Sequence, residues 1–257
     1  MNRIARSWLP PVLFGVILLL LWQVLTVAAG VPSFLLPAPS DIAKAFGDNH
    51  TAITEAAVAT GKNALAGLLA GAVLGIAAAI LAVRFRVVDG VLGALATGAA
   101  AVPIVALAPL LNSMYSTTTD LPRRVVATIV VFFPVFVSTA RGLRQVPRVH
   151  TDLMTAYAAS GWQITRTVRL PAALPYLFTG LRIAAPGAVI AALIAEYFGG
   201  LQHGLGSRIT SAAANTAYPR AWAYVVAAMI LGLLFLTAVV ALEQLTRRPR
   251  TILGRSK

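Results

Sequence analysis

Few residues in this chain are of a kind that does chemistry, and their spacing narrows what that chemistry is. One carboxylate, Glu196, closes a long apolar run just before Tyr197, Phe198, Gly199 and Gly200. An ionisable group in or beside a membrane span is costly to bury, so Glu196 marks either a functional position or a cap on the Gly-rich turn that follows. Arg182 lies inside the same run and either lines a path or snorkels toward the headgroups. His50, His150 and His203 stand far apart with no metal-ligand spacing. The chain has no cysteine, which excludes disulfides, thiol catalysis and Cys-based metal sites. A phosphate-binding loop is missing as well. Gly61-Lys62 is followed by Asn63, and Ala56 stands where that motif needs its first glycine. The expectation is a chain with no catalytic residue, no metal and no cofactor of its own, which does not itself hydrolyse ATP.

The elements that carry these residues are built for a bilayer. Of 257 residues, 58% are hydrophobic and only 11% charged, and the mean hydropathy is +0.81. Such a composition belongs to a membrane-embedded protein. The net charge of +13 does not point to nucleic acid, because no aromatic-basic interleaving and no hydrophilic domain accompany it. Apolar runs of about 20 residues, the length that crosses a bilayer, predict an all-α polytopic protein in which residues 1–257 form one domain. The spans are expected near 12–29, 62–83, 87–111, 125–140, 172–195 and 221–242. The first is longer than a signal-peptide core and is followed by further spans, so it reads as a retained helix.

Details within the runs add to this. Gly67, Gly71 and Gly75 recur every four residues, which puts them on one helical face and allows close approach of a neighbouring backbone. Pro103 and Pro109 fall inside the third span and Pro134 inside the fourth, where each frees a carbonyl and bends the axis. Between spans one and two, Ser40 or Asp41 is expected to cap a short interfacial helix through Phe46. Asn112 begins a polar loop, and 197–220 reads as a second polar segment.

Orientation follows from the basic residues. With the N-terminus in the cytoplasm, the inner segments hold Arg3, Arg6, Arg84, Arg86, Arg141, Arg144, Arg148, Arg166, Arg169, Arg247, Arg248, Arg250, Arg255 and Lys257. The outer ones hold Lys44, Lys62, Arg123, Arg124, Arg208 and Arg220. Fourteen against six predicts both termini inside. The basic residues Arg141, Arg144 and Arg148 are most simply determinants of that topology.

The longest cytoplasmic segment, 141–171, is amphipathic and runs into the fifth span through Leu170-Pro171-Ala172-Ala173-Leu174-Pro175. It is expected to fold as two short helices. Thr151 serves as N-cap of the first, Asp152 sits in its first turn, and Gly161 ends it. Here the residues resemble a known pattern. Permease subunits of bacterial ABC importers carry Glu-Ala-Ala, three residues, Gly, nine residues, Ile, one residue, Leu-Pro. Without gaps, Asp152-Leu153-Met154 fall on Glu-Ala-Ala, Ala158 on the Gly, Val168 on the Ile, and Leu170-Pro171 match outright. Phe34-Leu35-Leu36-Pro37-Ala38-Pro39-Ser40-Asp41, Trp162-Gln163, Gly180-Leu181-Arg182, Ala195-Glu196-Tyr197 and Gly204-Leu205-Gly206 further resemble the nitrate/sulfonate/taurine branch of that family.

The resemblance implies a six-span permease with a cytoplasmic coupling helix between spans four and five. Asp152, Leu153, Ala156, Tyr157, Ala158, Ser160, Gly161 and Trp162 would meet the ATPase. Gly67, Gly71 and Gly75 would pack spans, and Pro103, Asn112, Arg182 and Glu196 would stand along a translocation path. The partners implied are cytoplasmic ABC ATPase subunits that hold the ATP and Mg, a second copy of the permease, an extracytoplasmic solute-binding protein and a small solute. Two other readings stay open. One is a secondary transporter, which usually shows internal repeats. The other is a membrane-embedded enzyme using Glu196 with a histidine, which needs those groups within hydrogen-bond reach.

Overall fold

The computed structural model describes residues 3–99, 103–115, 119–199 and 202–246. Gly200 and the basic tail Arg247, Arg248, Arg250, Arg255 and Lys257 lie outside the described residues. The chain is an all-α polytopic membrane protein. Among the described residues, five helical stretches are long and apolar enough to cross a bilayer: Leu9–Ala28, His50–Arg84, Leu121–Arg144, Gly161–Tyr197 and Tyr218–Thr246.

The centre is a stack of three helices, α3 (His50–Arg84), α6 (Leu121–Arg144) and α9 (Leu170–Tyr197), packed α3 on α6 on α9. Their contact faces are lined by small and β-branched residues: Ala64, Val131, Val135, Ala184, Ala185, Ala188 and Ala192 are all buried. Small side chains suit a membrane bundle, where lipid is as apolar as leucine and association depends on close backbone packing. Gly67, Gly71 and Gly75 face α6. A methyl on Gly67 would stand 2.3 Å from the Ala127 Cβ, and one on Gly71 would stand 2.6 Å from the Thr128 carbonyl oxygen. One on Gly75 would stand 2.9 Å from the Phe132 carbonyl oxygen. All three contacts are too short for any side chain.

Around this core lie α11 (Tyr218–Thr246), against α9, and α10 (Leu205–Ala214), wedged between α9 and α11. The first helix, α1 (Arg3–Ala28), stands apart, with Leu13, Phe14, Ile17 and Leu20 exposed. It touches the body through an edge-to-face pair, Trp22 with Trp222, whose ring centroids are 5.8 Å apart. A side-chain clasp adds to this: Gln23 Nε2 donates to Ser40 Oγ, and the Ser40 amide donates to Gln23 Oε1, both at 3.0 Å.

That clasp corrects one expectation. The short helix α2 (Pro39–Asp48) has Ala38 at its N-cap with no side-chain cap, not Ser40 or Asp41. Gln23 supplies the acceptor that a capping side chain would have offered, and Pro39 removes one amide from need. The third predicted span is also corrected. It is divided into α4 (Arg86–Ala99) and α5 (Ile104–Met114), with Pro103 at the N-cap of α5 rather than inside a helix. Proline has no amide to donate and its ring collides with the preceding turn, so a helix more readily starts after it than runs through it. Asn112 accordingly lies within α5 and not in a loop. The helix that carries the second span, α3, begins at His50, and the polar 197–220 segment contains α10.

Segment 141–171 differs most from expectation. Helix α6 continues to Arg144, and α7 spans Arg148–Ala156 with Pro147, not Thr151, at its N-cap. It ends at Tyr157, well before Gly161. Gly161 instead opens α8 (Gly161–Ile164), which passes through a π-helical turn (Thr165–Arg169) into α9. The fifth span is therefore a single helical rod, Gly161–Tyr197, 37 residues long.

Candidate functional site

Two groups of polar residues stand at the two ends of the bundle. At one end stand α7 and α8; at the other, α10 and the first turns of α6.

At the α7 end the local chemistry makes a short, self-sufficient projection. No residue of α7 is buried, and Leu153 and Tyr157 are 57% and 78% exposed. Its end is closed by backbone alone. The Ala158 amide donates to the Thr155 carbonyl at 2.9 Å, and the Ala159 amide reaches back to the Met154 carbonyl at 3.0 Å. This paired bonding is the Schellman closure, and it requires a left-handed residue after the cap. Ala158 takes that position with φ +55°. Glycine is at ease there, whereas a Cβ costs about 1–2 kcal/mol. The glycine in the resembling pattern thus corresponds to a backbone requirement, which this chain meets with the smallest side chain available.

The next helix is started by a reciprocal cap. The Ser160 amide donates to Gln163 Oε1 at 2.7 Å and the Gln163 amide donates to Ser160 Oγ at 3.3 Å. The same pairing satisfies two of the free amides at the start of α8. Asp152, Leu153, Ala156, Tyr157, Ala158, Ser160, Gly161 and Trp162 are all exposed, and the structure brings them together on this one projection. Asp152 is exposed in the middle of α7, away from its first turn.

At the opposite end the geometry is a buried clasp. Glu196, 1% exposed, closes α9. Its Oε2 accepts the Thr60 hydroxyl of α3 at 2.8 Å and the Gly206 amide of α10 at 3.1 Å. Thr60 Oγ1 in turn accepts the Leu205 amide at 2.9 Å. Two of the free amides that open α10 are therefore satisfied by side chains from two other helices, with a carboxylate at the positive end of the helix dipole. Gly204 and Gly206 make room for it. A Cβ on Gly204 would lie 2.1 Å from the Glu196 carboxyl carbon, and one on Gly206 would lie 2.2 Å from the Leu193 carbonyl oxygen. Asn112 joins from α5 by donating to the Ala195 carbonyl at 3.0 Å.

Beside the clasp lies a network that the sequence reading did not single out. Asp120, at the N-cap of α6, accepts from Arg123 at 2.5 Å and from Asn63 Nδ2 at 3.2 Å, while Arg124 Nε donates to Asn63 Oδ1 at 3.1 Å. Arg123 is itself 2% exposed. The sequence signal was present in the spacing: Asp120 with Arg123 and Arg124 places both guanidiniums on the carboxylate's side of the first turn.

Partial burial pushes the Asp120 carboxyl up, but hydrogen bonds from Arg123 and Asn63, with the charges of Arg123 and Arg124, outweigh it and hold the carboxyl below its ordinary range. A folded-state pKa below the unfolded value gives stability that is present above about pH 3.9 and is lost as pH falls through the folded value. In detergent, acidification below about pH 4 is expected to lower the unfolding temperature of the native protein. Asp120→Asn should lack that part of the acid sensitivity and be less stable at pH 7. An acid limb identical in the two proteins would contradict this.

The four residues suggested for a translocation path do not converge. Glu196 is enclosed in its clasp and Pro103 is exposed at the start of α5. Arg182 lies about 20 Å from Glu196 along α9, at 1.5 Å per residue. Its guanidinium is ion-paired with the carboxylate of Glu243 on α11, whose side chain is 4% exposed. Thr60 and Gly206 donate to Glu196, and among the described residues no histidine hydrogen-bonds to it.

Comparison with known proteins gives a family. Residues 71–248 match the model described as the binding-protein-dependent transport system inner membrane component. A probable ABC transporter permease protein of Haemophilus influenzae is 30% identical over 77% of this chain and 80% of its own length. The formylaminopyrimidine transport permease protein ThiX of Halalkalibacterium halodurans is 28% identical over 92% and 94%. The riboflavin transport system permease protein RibX of Chloroflexus aurantiacus is 28% identical over 76% and 73%.

Proposed function

Since the chain belongs to the family of binding-protein-dependent transport system inner membrane components, and so is a permease subunit of an ABC importer served by an ATPase and a solute-binding protein, we propose that its α7–α8 projection is where the cytoplasmic ATPase docks. The observation that carries this is the exposed α7, closed on itself by the left-handed Ala158 and joined by the Ser160–Gln163 cap to the rod Gly161–Tyr197. A short helix with no buried residue is free to enter a groove, and contact there would add the packing that so short a helix lacks by itself. Because α8, the π-helical turn and α9 are one rod, a displacement at α8 passes into the span without crossing a loop. The far end of the same rod holds Glu196, so the motion reaches the clasp that ties α3, α5 and α10 to α9. Two such permeases would pair about a two-fold axis and alternate between inward- and outward-facing packings as the ATPases close and open.

In this reading both termini and the α7 end are cytoplasmic and the α10 end is outside. The solute is a small polar molecule; relatives that match over most of their length are named for riboflavin and for formylaminopyrimidine. Pairing with Glu243 neutralises Arg182, so the described spans offer no argument of their own for an anion.

The absence of native cysteine makes the orientation directly testable. A single cysteine introduced at Thr216, exposed after α10, is expected to react with a membrane-impermeant maleimide in intact cells. A single cysteine introduced at Tyr157 should react only after permeabilisation. The reverse pattern would place α7 on the side away from ATP and overturn the docking assignment.

A further inference from the structure

We propose that the α7 end also carries a binding site for the phosphate headgroup of an anionic membrane phospholipid, set between the ends of α3 and α6 and the α8–π-helical turn. Two adjoining cavities of about 680 and 320 Å³ lie there and share Val83, Leu143 and Arg169 on their walls. Arg84 reaches the larger cavity from the last turn of α3, and Arg144 and Arg148 reach the smaller one from the end of α6 and the start of α7. Asp89 is the one carboxylate on these walls, and it is ion-paired with Arg144. Among the described residues no carboxylate pairs with Arg84, Arg148 or Arg169. Guanidiniums arriving from separate elements around two adjoining hollows joined at Arg169 match the forked, multi-oxygen geometry of a phosphate.

The remaining walls decide the source of that phosphate. The walls of the larger cavity include Ile80, Leu81 and Val83, residues of the apolar part of α3. Leu81 and Trp162 on its walls are 49% and 61% exposed, and Phe85, under the Arg84 guanidinium, is 49% exposed. A free phosphate would gain nothing from that wall. A phospholipid places its headgroup among the arginines and the start of its acyl chains along the leucine and isoleucine side chains. An indole at the rim is where tryptophan settles at a membrane interface. The basic residues at this end therefore do more than set topology. The site takes Arg148 and Thr151 from the start of α7 and Gly161 and Trp162 from α8, so it borders the docking projection. Lipid retention by the isolated permease is read without the ATPase, however, and its failure is distinguishable from failure of the ATPase assignment.

Native mass spectrometry of the full chain, purified in neutral detergent, tests this with three probes: dioleoyl phosphatidylglycerol, dioleoyl phosphatidylcholine and inorganic phosphate. Phosphatidylglycerol is expected to be retained in preference to phosphatidylcholine and to resist millimolar phosphate. Retention should fall about tenfold in R84Q/R169Q, where two of the charges near the headgroup are removed. The same charge loss at the other end, R124Q/R208Q, should leave it unchanged. Equal retention of both lipids, or equal retention by R84Q/R169Q and the native chain, would overturn the site. Displacement by phosphate at equal concentration would show a free-anion pocket instead, and would overturn the assignment to lipid. Should the double variant fail to fold, Arg169→Gln alone, on the wall common to both cavities, is expected to lower retention severalfold, and no loss there would be equally fatal.

Discussion

Replacing Gly71 by leucine is expected to abolish recovery of folded permease, while leucine at the neighbouring Ala70 leaves it intact. The difference comes from what each side chain meets. At Gly71 even a methyl would stand 2.6 Å from the Thr128 carbonyl oxygen and 2.7 Å from the Val131 Cβ. Ala70 is exposed on the side of α3 away from α6. Overpacking a core costs about 1–3 kcal/mol where neighbouring side chains can give way. Here the first obstacle is main chain, and it belongs to one of the two most extensive helix contacts among the described residues. The helices must therefore separate, and with them the row that includes Gly67 and Gly75. Size-exclusion chromatography in detergent after membrane insertion checks this. A monodisperse Gly71→Leu protein with the yield of Ala70→Leu would show that α3 and α6 do not pack through this row.

The second large effect is expected at Ala158. Tryptophan there should leave insertion and folding intact, since the residue is exposed and no span packs on it. It should lower solute-stimulated ATP hydrolysis by the assembled transporter at least tenfold, the loss that about 1.4 kcal/mol of interface overpacking would produce. Ala158→Gly is the informative control. Glycine relieves the left-handed strain at φ +55° and adds no bulk, so coupling should be kept or slightly improved. Equal loss in both variants would mean that the methyl itself is needed. Loss in neither would mean that the groove does not receive this turn.

The sequence carried the class of fold plainly, because span length and apolar composition are bulk properties that a bilayer imposes. The glycine row was legible for a similar reason: a four-residue repeat defines a face without knowledge of the partner. What was not legible depended on which group takes which amide. Ser40 has the side chain of a cap, but Gln23, on another helix, supplies the acceptor. Gly161 is of the type that ends helices, yet the chain turns three residues earlier at Ala158 and uses Gly161 to begin again. An alanine at φ +55° carries no mark in the sequence, and only the family pattern hinted at it. Glu196 was marked as costly to bury, and the tertiary structure supplies what offsets the cost: the hydroxyl of Thr60, 136 positions away in the chain, and an amide of α10. The pairing of Arg182 with Glu243, 61 positions away, was out of reach for the same reason.

The claim that α7–α8 receives the ATPase is tested most directly by cross-linking. With no native cysteine in the chain, the variant Ala158→Cys can be paired with single-cysteine variants of the partner ATPase in the assembled transporter. A disulfide is expected between the introduced cysteine and the ATPase, with a yield that changes when ATP binds. Thr216→Cys, at the opposite end, should give a much lower yield. A yield from Ala158→Cys no higher than from Thr216→Cys would contradict the docking assignment.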